Sequence, residues 1–408
     1  MAHGWGCSKP FWCLGSKCPL AHHFHGSSDT ALKEWRGNIQ SPHLHAAHRW
    51  KTLWRNIPHI DFSLSFFDSL LKLTCRLAEM AEIKSSVKYV ENVINNIILL
   101  HSTPLESVQF DLSFQGRQNR LGEKILNNVS IEQCIKGAAV KGVKRVALCY
   151  RGMSGRQVPS SLFACQLLRV LEIEGFWITE IPSDFRGFLF LKTCSLSEIG
   201  DLTDARLQQL IAVCPILEKL VIKRCAALFN LQICAPNLTY LNLGTSSIEN
   251  FTADCPQLVE LKIKDCFMLS KFELNSIPFL QEMEPSDISA LEEIPAMKSL
   301  KKLSLRIGLD TPFGVLISTF PDLEELKITD ILIQDMVAGD VASDTAFPKL
   351  KKADVFISSD IWGQKEVALL DFLLSNAPKL NSMALCNTPV GTTLFTDPEF
   401  MSHFMSQV

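Results

Sequence analysis

The sequence predicts an α/β fold, a solenoid of short parallel strands with connecting segments between them. Three observations support this prediction: one short frame recurs along most of the 408 residues, its apolar positions alternate as in a strand, and proline residues precede the alternating segments. The clearest copies are CPILEKLVIKRC at residues 214–225 and CPQLVELKIKDC at residues 255–266. Both read Cys-Pro-x-Leu-x-x-Leu-x-Ile-x-x-Cys, so the frame indicates a repeated structural unit.

Looser copies extend the frame along the chain. From Val143 onward their first aliphatic residues lie 20 to 30 positions apart, close to the spacing of leucine-rich repeats. We therefore predict a leucine-rich-repeat array of about twelve units over residues 101–390, a parallel-sheet horseshoe followed by a tail at 391–408. The first aliphatic residues of the units are Leu105, Val143, Leu168, Leu191, Leu217, Leu238, Leu258, Leu280, Leu300, Leu323, Leu350 and Leu380.

Each part of the frame has a physical role. Leu220 and Ile222 are two residues apart, which places both side chains on one face of a strand, the face expected to be the solenoid interior. A proline such as Pro215 lies ahead of the strand, where a missing N–H removes no ladder hydrogen bond. Cys225 and Cys266 are predicted to pack in the turn that leaves the strand, as free thiols and not as disulfides.

The segments between strands include two with helical periodicity. Residues 204–213 follow a capping residue, Thr203, and residues 365–375 repeat apolar side chains at positions i, i+3 and i+4. We therefore expect helices to connect successive strands.

Composition excludes several classes of function. The chain is 47% apolar, with a formal net charge of −3 and a pI near 6.4, which is typical of a folded protein and not of a general nucleic-acid binder. No apolar run reaches the roughly 18 residues that span a bilayer, and residues 1–20 lack the apolar core of a secretory signal. We expect a cytoplasmic or nuclear protein that binds neither nucleic acid nor membrane.

No motif predicts catalysis, a metal or a cofactor. Cys7, Cys13, Cys18 and His22 could supply zinc ligands, but their spacing matches no paired Cys-x-x-Cys pattern. The nucleophile elbow, the metalloprotease helix and the phosphate-binding glycine loop are all missing from the sequence. We therefore predict a non-enzymatic protein in which residues 1–47 are a Cys/His-rich tail, either poorly ordered or wrongly joined to the chain.

The string HRWKTLWRNIPHIDF at residues 48–62 resembles the end of the F-box in the plant F-box/leucine-rich-repeat superfamily. A second string near the C-terminus, KEVALLDFLLSNAPKLNSMAL, is similar to the closing FBD-like helix and strand. The resemblance implies a substrate-recognition subunit of an SCF-type E3 ubiquitin ligase, which holds a target protein on the repeat array. The residues of the first string that carry the match are Trp50, Leu53, Trp54, Pro58, Asp61 and Phe62.

The resemblance does not extend to the start of an F-box. Residues 1–47 contain no Leu-Pro helical start, which implies a degenerate or missing F-box, with residues 48–100 as its C-terminal remnant and a linker helix. A Skp-type adaptor and a cullin are expected partners only if an F-box is present. The alternative is a stand-alone leucine-rich-repeat interaction scaffold without a link to a ligase.

The outward strand positions predict a concave partner-binding face. One interpretation of this face is a patch that binds an acidic or phosphorylated segment, and the other is an ordinary solvated sheet surface. The opposing acidic residues are Glu260, Glu282, Glu284 and Glu325. The basic residues are Lys219, Lys223, Lys262, Lys264, Lys302, Arg306 and Lys327.

Overall fold

A computed structural model describes residues 54–68, 70–71, 83–113, 120–152, 155–245, 247–266, 268–275, 277–284, 297–306, 320–329, 347–357, 373–387 and 391–395. The chain divides into two compact units, Met1–Leu191 and Lys192–Val408. The predictions for residues 1–47, including the zinc candidates, and for residues 396–408 lie outside the described residues.

The first unit contains a parallel sheet whose strands follow chain order. Its strands are β1 (His59–Phe62), β2 (Ser107–Asp111), β3 (Arg145–Cys149) and β5 (Val170–Glu174), and a separate short pair joins β4 (Arg156–Gln157) to β6 (Phe176–Trp177). Its helices are α1 (Ile83–Leu100), α2 (Arg120–Asn128) and α3 (Glu132–Val140).

Strand β1 extends the sheet upstream of the predicted array, into residues that the sequence analysis assigned to the F-box remnant. It pairs in parallel register with β2, so Ile60 lies opposite Val108 and Phe62 opposite Phe110. All four of these side chains are buried. The imidazole of His101 holds the entry to β1, because its Nε2 lies 2.6 Å from the carbonyl oxygen of Ile57.

Helices α1 and α3 pack closely at a glycine. Val90, Ile94 and Ile98 of α1 are completely buried, which is the one-sided pattern of a helix that packs on a core. A Cβ atom added to Gly137 of α3 would lie 2.8 Å from Cγ2 of Ile98. The approach of these two helices therefore requires a residue without a side chain at position 137.

The second unit contains a longer parallel sheet and a short second one. The long sheet runs in the order β7, β8, β10, β12, β14, β15, β16, β17, β18, and ends with an antiparallel strand, β19. The short sheet contains β9, β11 and β13, all parallel. The bounds are β7 (Thr193–Ser197), β8 (Lys219–Lys223), β9 (Asn230–Cys234), β10 (Tyr240–Gly244), β11 (Asn250–Asp254), β12 (Glu260–Ile263), β13 (Lys271–Asn275), β14 (Glu282–Glu284), β15 (Lys302–Arg306), β16 (Glu325–Thr329), β17 (Lys352–Ile357), β18 (Ser382–Asn387) and β19 (Gly391–Phe395), with one helix, α4 (Asp204–Ala212), between β7 and β8.

The repeat frame corresponds to the strands. A strand begins two residues after each of the twelve predicted first aliphatic residues, from Ser107 after Leu105 to Ser382 after Leu380. These aliphatic side chains are buried except that of Leu380, which is half-buried. The predicted solenoid of parallel strands is therefore confirmed.

The connecting segments are only partly the helices that the sequence analysis predicted. Helix α4 begins after Thr203, whose hydroxyl accepts a hydrogen bond from the backbone N–H of Arg206 at 3.5 Å. Of the helix predicted at 365–375, residues 373–375 are helical and the rest lie outside the described residues. After β8, β10 and β12, strands β9, β11 and β13 stand where helices were expected, because units of 20 to 22 residues leave room for only a short extended return.

The turn that leaves a strand packs a cysteine, as predicted. Arg224 and Asp265 adopt left-handed conformations, with φ of 52° and 55°, and thereby direct the next residue inward. The next residues, Cys225 and Cys266, are buried. Their Sγ atoms lie 3.4 Å from the carbonyl oxygen of Lys223 and 3.3 Å from that of Lys264, respectively.

None of the described cysteines is in a disulfide. Burial raises the pKa of Cys225 and of Cys255 to about 11 and the pKa of Cys165 to about 12. Thiols that stay protonated at neutral pH are weak nucleophiles and weak metal ligands. The described cysteines are Cys134, Cys149, Cys165, Cys194, Cys214, Cys225, Cys234, Cys255 and Cys266.

Candidate protein-interaction surface

Strand alternation in the second unit separates a core face from a polar face of the long sheet. On β8, Leu220 and Ile222 are buried, whereas Lys219 and Lys223 point to the opposite side. The name polar sheet face is used below for the outward side chains of β8, β10, β12, β14, β15, β16 and β17 and for Lys264, which follows β12. The first outward positions are Lys219, Tyr240, Glu260, Glu282, Lys302, Glu325 and Lys352, and the next ones are Val221, Asn242, Lys262, Glu284, Ser304, Lys327 and Asp354.

The predicted basic residues lie on this face, but half of the described ones are paired with the predicted acidic residues. Lys262 contacts Glu260, and Lys264 Nζ lies 2.9 Å from Glu284. Lys302 lies between two carboxylates, at 3.3 Å from Glu282. These pairs lower the net positive charge that the sequence predicts for the face.

The hydrogen bond that Lys262 donates to Glu260 raises the pKa of Lys262, and the hydrogen bond that Lys302 donates to Glu282 raises the pKa of Lys302. All of these side chains are partly exposed, so water and salt screen each pair and it contributes little to stability.

Three predicted lysines form no ion pair with another described residue: Lys219, Lys223 and Lys327. Two of them rest on aromatic rings instead. Lys219 Nζ lies 4.3 Å from the ring centroid of Tyr240, and Lys327 Nζ lies 4.8 Å from that of Phe356. Of the seventh predicted basic residue, Arg306, the structure describes only the backbone, at the end of β15.

Lysine and glutamate alternate along one part of the face and line a shallow depression of about 170 Å³. It extends from Glu260 and Lys262 on β12 to Lys352 and Asp354 on β17. Cations and anions lie within a few ångströms of each other here, so this part of the surface carries mixed charges and is not a basic patch.

The sequence analysis missed several residues of this face, and four of them are described here. Lys352 and Asp354 form an ion pair at 2.6 Å, and they occupy outward positions in the copy FPKLKKADV. Tyr240 and Asn242 occupy the same positions in APNLTYLNL. Strand alternation could have placed all four, but only part of the charged positions and none of the neutral ones were considered.

The residues that carry the F-box resemblance have structural roles where the structure describes them. Pro58 accepts hydrogen bonds at its carbonyl oxygen from the backbone N–H groups of Glu106 and Ser107, at 2.8 and 3.1 Å. Phe62 is buried, and Asp61 precedes it in β1. Trp54 begins a short 3₁₀ helix, Trp54–Asn56. The structure does not describe the side chain of Trp54, and Trp50 and Leu53 lie outside the described residues.

Other kinds of site find no support in the part of the chain that the structure describes. Within it, no cluster of His, Cys, Asp and Glu side chains is arranged to hold a metal ion. Within the same ranges, no helix combines the length and the apolar character that a transmembrane segment needs.

Comparison with known proteins finds similarity to F-box proteins that carry leucine-rich repeats. Residues 131–281 match the family model described as FBD-associated F-box protein At5g56370, LRR repeats. Among curated proteins of Arabidopsis thaliana, FBD-associated F-box protein At5g56410 is 24% identical over 64% of this chain and 52% of its own length. F-box/FBD/LRR-repeat protein At1g13570 is 25% identical over 72% of this chain and 76% of its own length.

A third relative, FBD-associated F-box protein At4g10400, is 29% identical over 42% of both chains. The match thus spans about half the length of the first and the third relatives. The solenoid and the names of these relatives point to a non-enzymatic protein-interaction module. Over its repeats the chain is similar to FBD-associated F-box proteins and F-box/FBD/LRR-repeat proteins of Arabidopsis thaliana.

Proposed function

We propose that this chain is the substrate-recognition subunit of an SCF-type E3 ubiquitin ligase and that its polar sheet face holds the target protein. The polar sheet face is the observation that carries the proposal, since parallel strands present rows of polar, partly exposed side chains there. Repeat proteins commonly bind partners on such surfaces. The link to the ligase rests on the F-box names of the relatives and on residues 48–62.

Contact with a Skp-type adaptor is assigned to residues that precede Pro58. Phe62 is buried in the core of the first unit and is not available to a partner. Trp50, Leu53 and Trp54 are the remaining apolar residues of the resemblance and would supply the adaptor contact. A ligase subunit of this kind is expected in the cytoplasm or the nucleus, which fluorescence imaging of the tagged full chain would test.

The test is formation of a complex between the full chain and a Skp-type adaptor, measured by size-exclusion chromatography with light scattering. We expect a one-to-one complex that is lost when Trp50→Ala, Leu53→Ala and Trp54→Ala are combined. The matched control is Lys327→Gln on the polar sheet face, which should bind the adaptor like the unmodified chain.

A full chain that is folded but forms no adaptor complex would contradict the ligase proposal. The stand-alone interaction scaffold would then be the function to pursue, because it needs the polar sheet face and not the adaptor.

A further inference from the structure

We propose that the part of the polar sheet face on β8, β10 and β12 binds an extended, carboxylate-rich segment of the target protein. In this subsite, Asn242 makes a hydrogen bond to the main chain of the segment and the surrounding lysines bind its carboxylates. The proposal rests on the proposed function, since it assigns a partner chemistry to the same face.

Asn242 is the first observation behind the proposal. Its side chain points to the polar side of the sheet, yet the residue is only 8% exposed. Its Nδ2 donates to the hydroxyl of Tyr240 at 3.2 Å, while its Oδ1 is buried without a hydrogen-bond partner. If the amide is rotated by 180°, the hydroxyl can donate to Oδ1 and Nδ2 becomes the unpaired group, so one polar atom lacks a partner in either orientation.

An unpaired buried polar atom is unfavourable, and nearly all such atoms in folded proteins have a partner. The fold does not require a polar side chain at this position, because Val221 occupies the position in register on β8. The peptide backbone of a bound segment supplies both an N–H and a carbonyl group and can therefore satisfy Asn242 in either orientation.

The lysines around Asn242 are the second observation. Lys219 and Lys262 lie with their Nζ atoms 4.3 and 5.5 Å from the ring centroid of Tyr240, the residue that contacts the Asn242 amide. These long side chains turn about several bonds, so they can move aside and follow a ligand. They cover the subsite without closing it permanently.

Charge favours an acidic ligand at this end of the face. Lys219 and Lys223 of β8 flank Tyr240 and Asn242 on one side, and neither forms an ion pair with another described residue. On the other side Lys262 contacts Glu260, and Lys264, which follows β12, pairs with Glu284 of β14. On β14 to β17, four acidic side chains accompany three lysines: Glu282, Glu284, Glu325 and Asp354 with Lys302, Lys327 and Lys352. The face is therefore basic at the β8 end and slightly acidic at the other.

The spacing of the lysines favours several carboxylates over one phosphate group. Lys219 and Lys223 are four residues apart on one strand, which separates their Cα atoms by about 13 Å. Glutamates at alternate positions of an extended segment recur about every 7 Å along it, so they can meet cations spread over this length. All the described cations of the subsite are lysines, whereas a single phosphate is typically held by a convergent arginine fork.

The experiment measures binding of labelled peptides to the full chain by fluorescence polarisation. The probes are a ten-residue peptide that alternates Glu with Ser, a peptide that alternates Lys with Ser, and a peptide with one phosphoserine and no Glu. We expect the Glu peptide to bind most tightly and to weaken as salt is raised.

The decisive variant is Asn242→Val, which copies the residue at the neighbouring position of β8. It should weaken the Glu peptide about tenfold while the thermal unfolding midpoint stays the same or rises. Lys219→Gln should weaken it about fivefold, and Lys352→Gln, the matched charge change at the other end of the face, should leave it within about twofold.

The subsite is overturned if the phosphoserine or Lys peptide binds as tightly as the Glu peptide, or if Asn242→Val binds normally. It is also overturned if Asn242→Val lowers the unfolding midpoint in parallel with binding, because Asn242 would then be a structural residue. The assay contains no adaptor, so failure of the subsite and failure of the ligase link are separate results.

Discussion

The ring of Phe62 stacks on the ring of Phe110, with centroids 4.8 Å apart and planes inclined by 21°. The contact joins β1 to β2 and is completed by Phe66, whose ring meets that of Phe62 edge-on at 5.1 Å. Residues that resemble the end of an F-box thus form the first hydrophobic layer of the first unit's sheet.

Replacement of Phe62 tests that role. Phe62→Ala should lower the free energy of unfolding by about 3 to 5 kcal/mol, because it leaves a cavity among buried aromatic rings. Chemical denaturation followed by circular dichroism measures the change. Leu99→Ala, at a side chain that is 66% exposed in the same unit, is the control and should change stability by less than about 1 kcal/mol. Equal effects of the two variants would show that β1 does not pack as described.

The buried thiols predict a loss of stability in alkali. The pKa of Cys225 is about 11 in the folded chain, against an ordinary value of 9.0, because burial disfavours the thiolate. A raised pKa gives a contribution that is complete below pH 9 and is lost as the pH rises through 11. At pH 10 the loss is about 1 kcal/mol for this thiol.

Cys225→Ala should therefore flatten the dependence of unfolding free energy on pH between 9 and 11. The matched control is Cys234→Ala, which removes an exposed thiol in place of a buried one. An identical slope in the unmodified chain and in Cys225→Ala would contradict the burial of this side chain.

Asp204 connects the start of α4 to the start of β9. Its carboxylate accepts a hydrogen bond from the backbone N–H of Asn230 at 3.0 Å and another from that of Phe229 at 3.2 Å. Asp204→Ala should destabilise the second unit by about 1 to 2 kcal/mol, because charge-assisted bonds to backbone donors are lost. Asp254→Ala, at an exposed end of β11, is the matched control. Urea denaturation of both variants measures the difference, and no difference would refute the connection.

The ion pairs of the polar sheet face should matter little for stability. Lys302 contacts Glu282 and Glu325, and its side chain is about half exposed. Lys302→Gln should leave the thermal unfolding midpoint nearly unchanged, since exposed pairs are weak and screened by salt. Thermal unfolding at two salt concentrations checks this, and a large loss would mean that the pairs stabilise the fold and are not available to a partner.

Much of the array could be predicted because its physical signals are local. In each of the twelve predicted units an aliphatic residue lies two positions before the strand. Alternation along the strand then places Leu220 and Lys219 on opposite faces of the sheet. Strands β9, β11 and β13 of the short sheet were not predicted, because helices were expected between all strands. Their alternating residues, such as Leu231 and Ile233, carry the same period-two signal in segments too short for a helix.

The candidate site could be predicted only in part. The sequence placed Lys219 and Lys262 on one face, but it could not show that Lys262 contacts Glu260 or that Asn242 is buried beside Tyr240. Those facts depend on which side chains of neighbouring strands meet, which follows from three-dimensional register and packing. Strand β1 was missed for a different reason, because the resemblance assigned His59–Phe62 to another domain.

The central claim, that the polar sheet face binds the target protein, is tested most directly by site-specific photocrosslinking. A photoreactive amino acid replaces Val221 on the polar sheet face in one full-length variant and Thr252 on the short sheet in another. After irradiation in cell extract, we predict that a protein other than the adaptor is attached to the Val221 variant and not to the Thr252 variant. Attachment of the same protein from position 252 alone would contradict the claim.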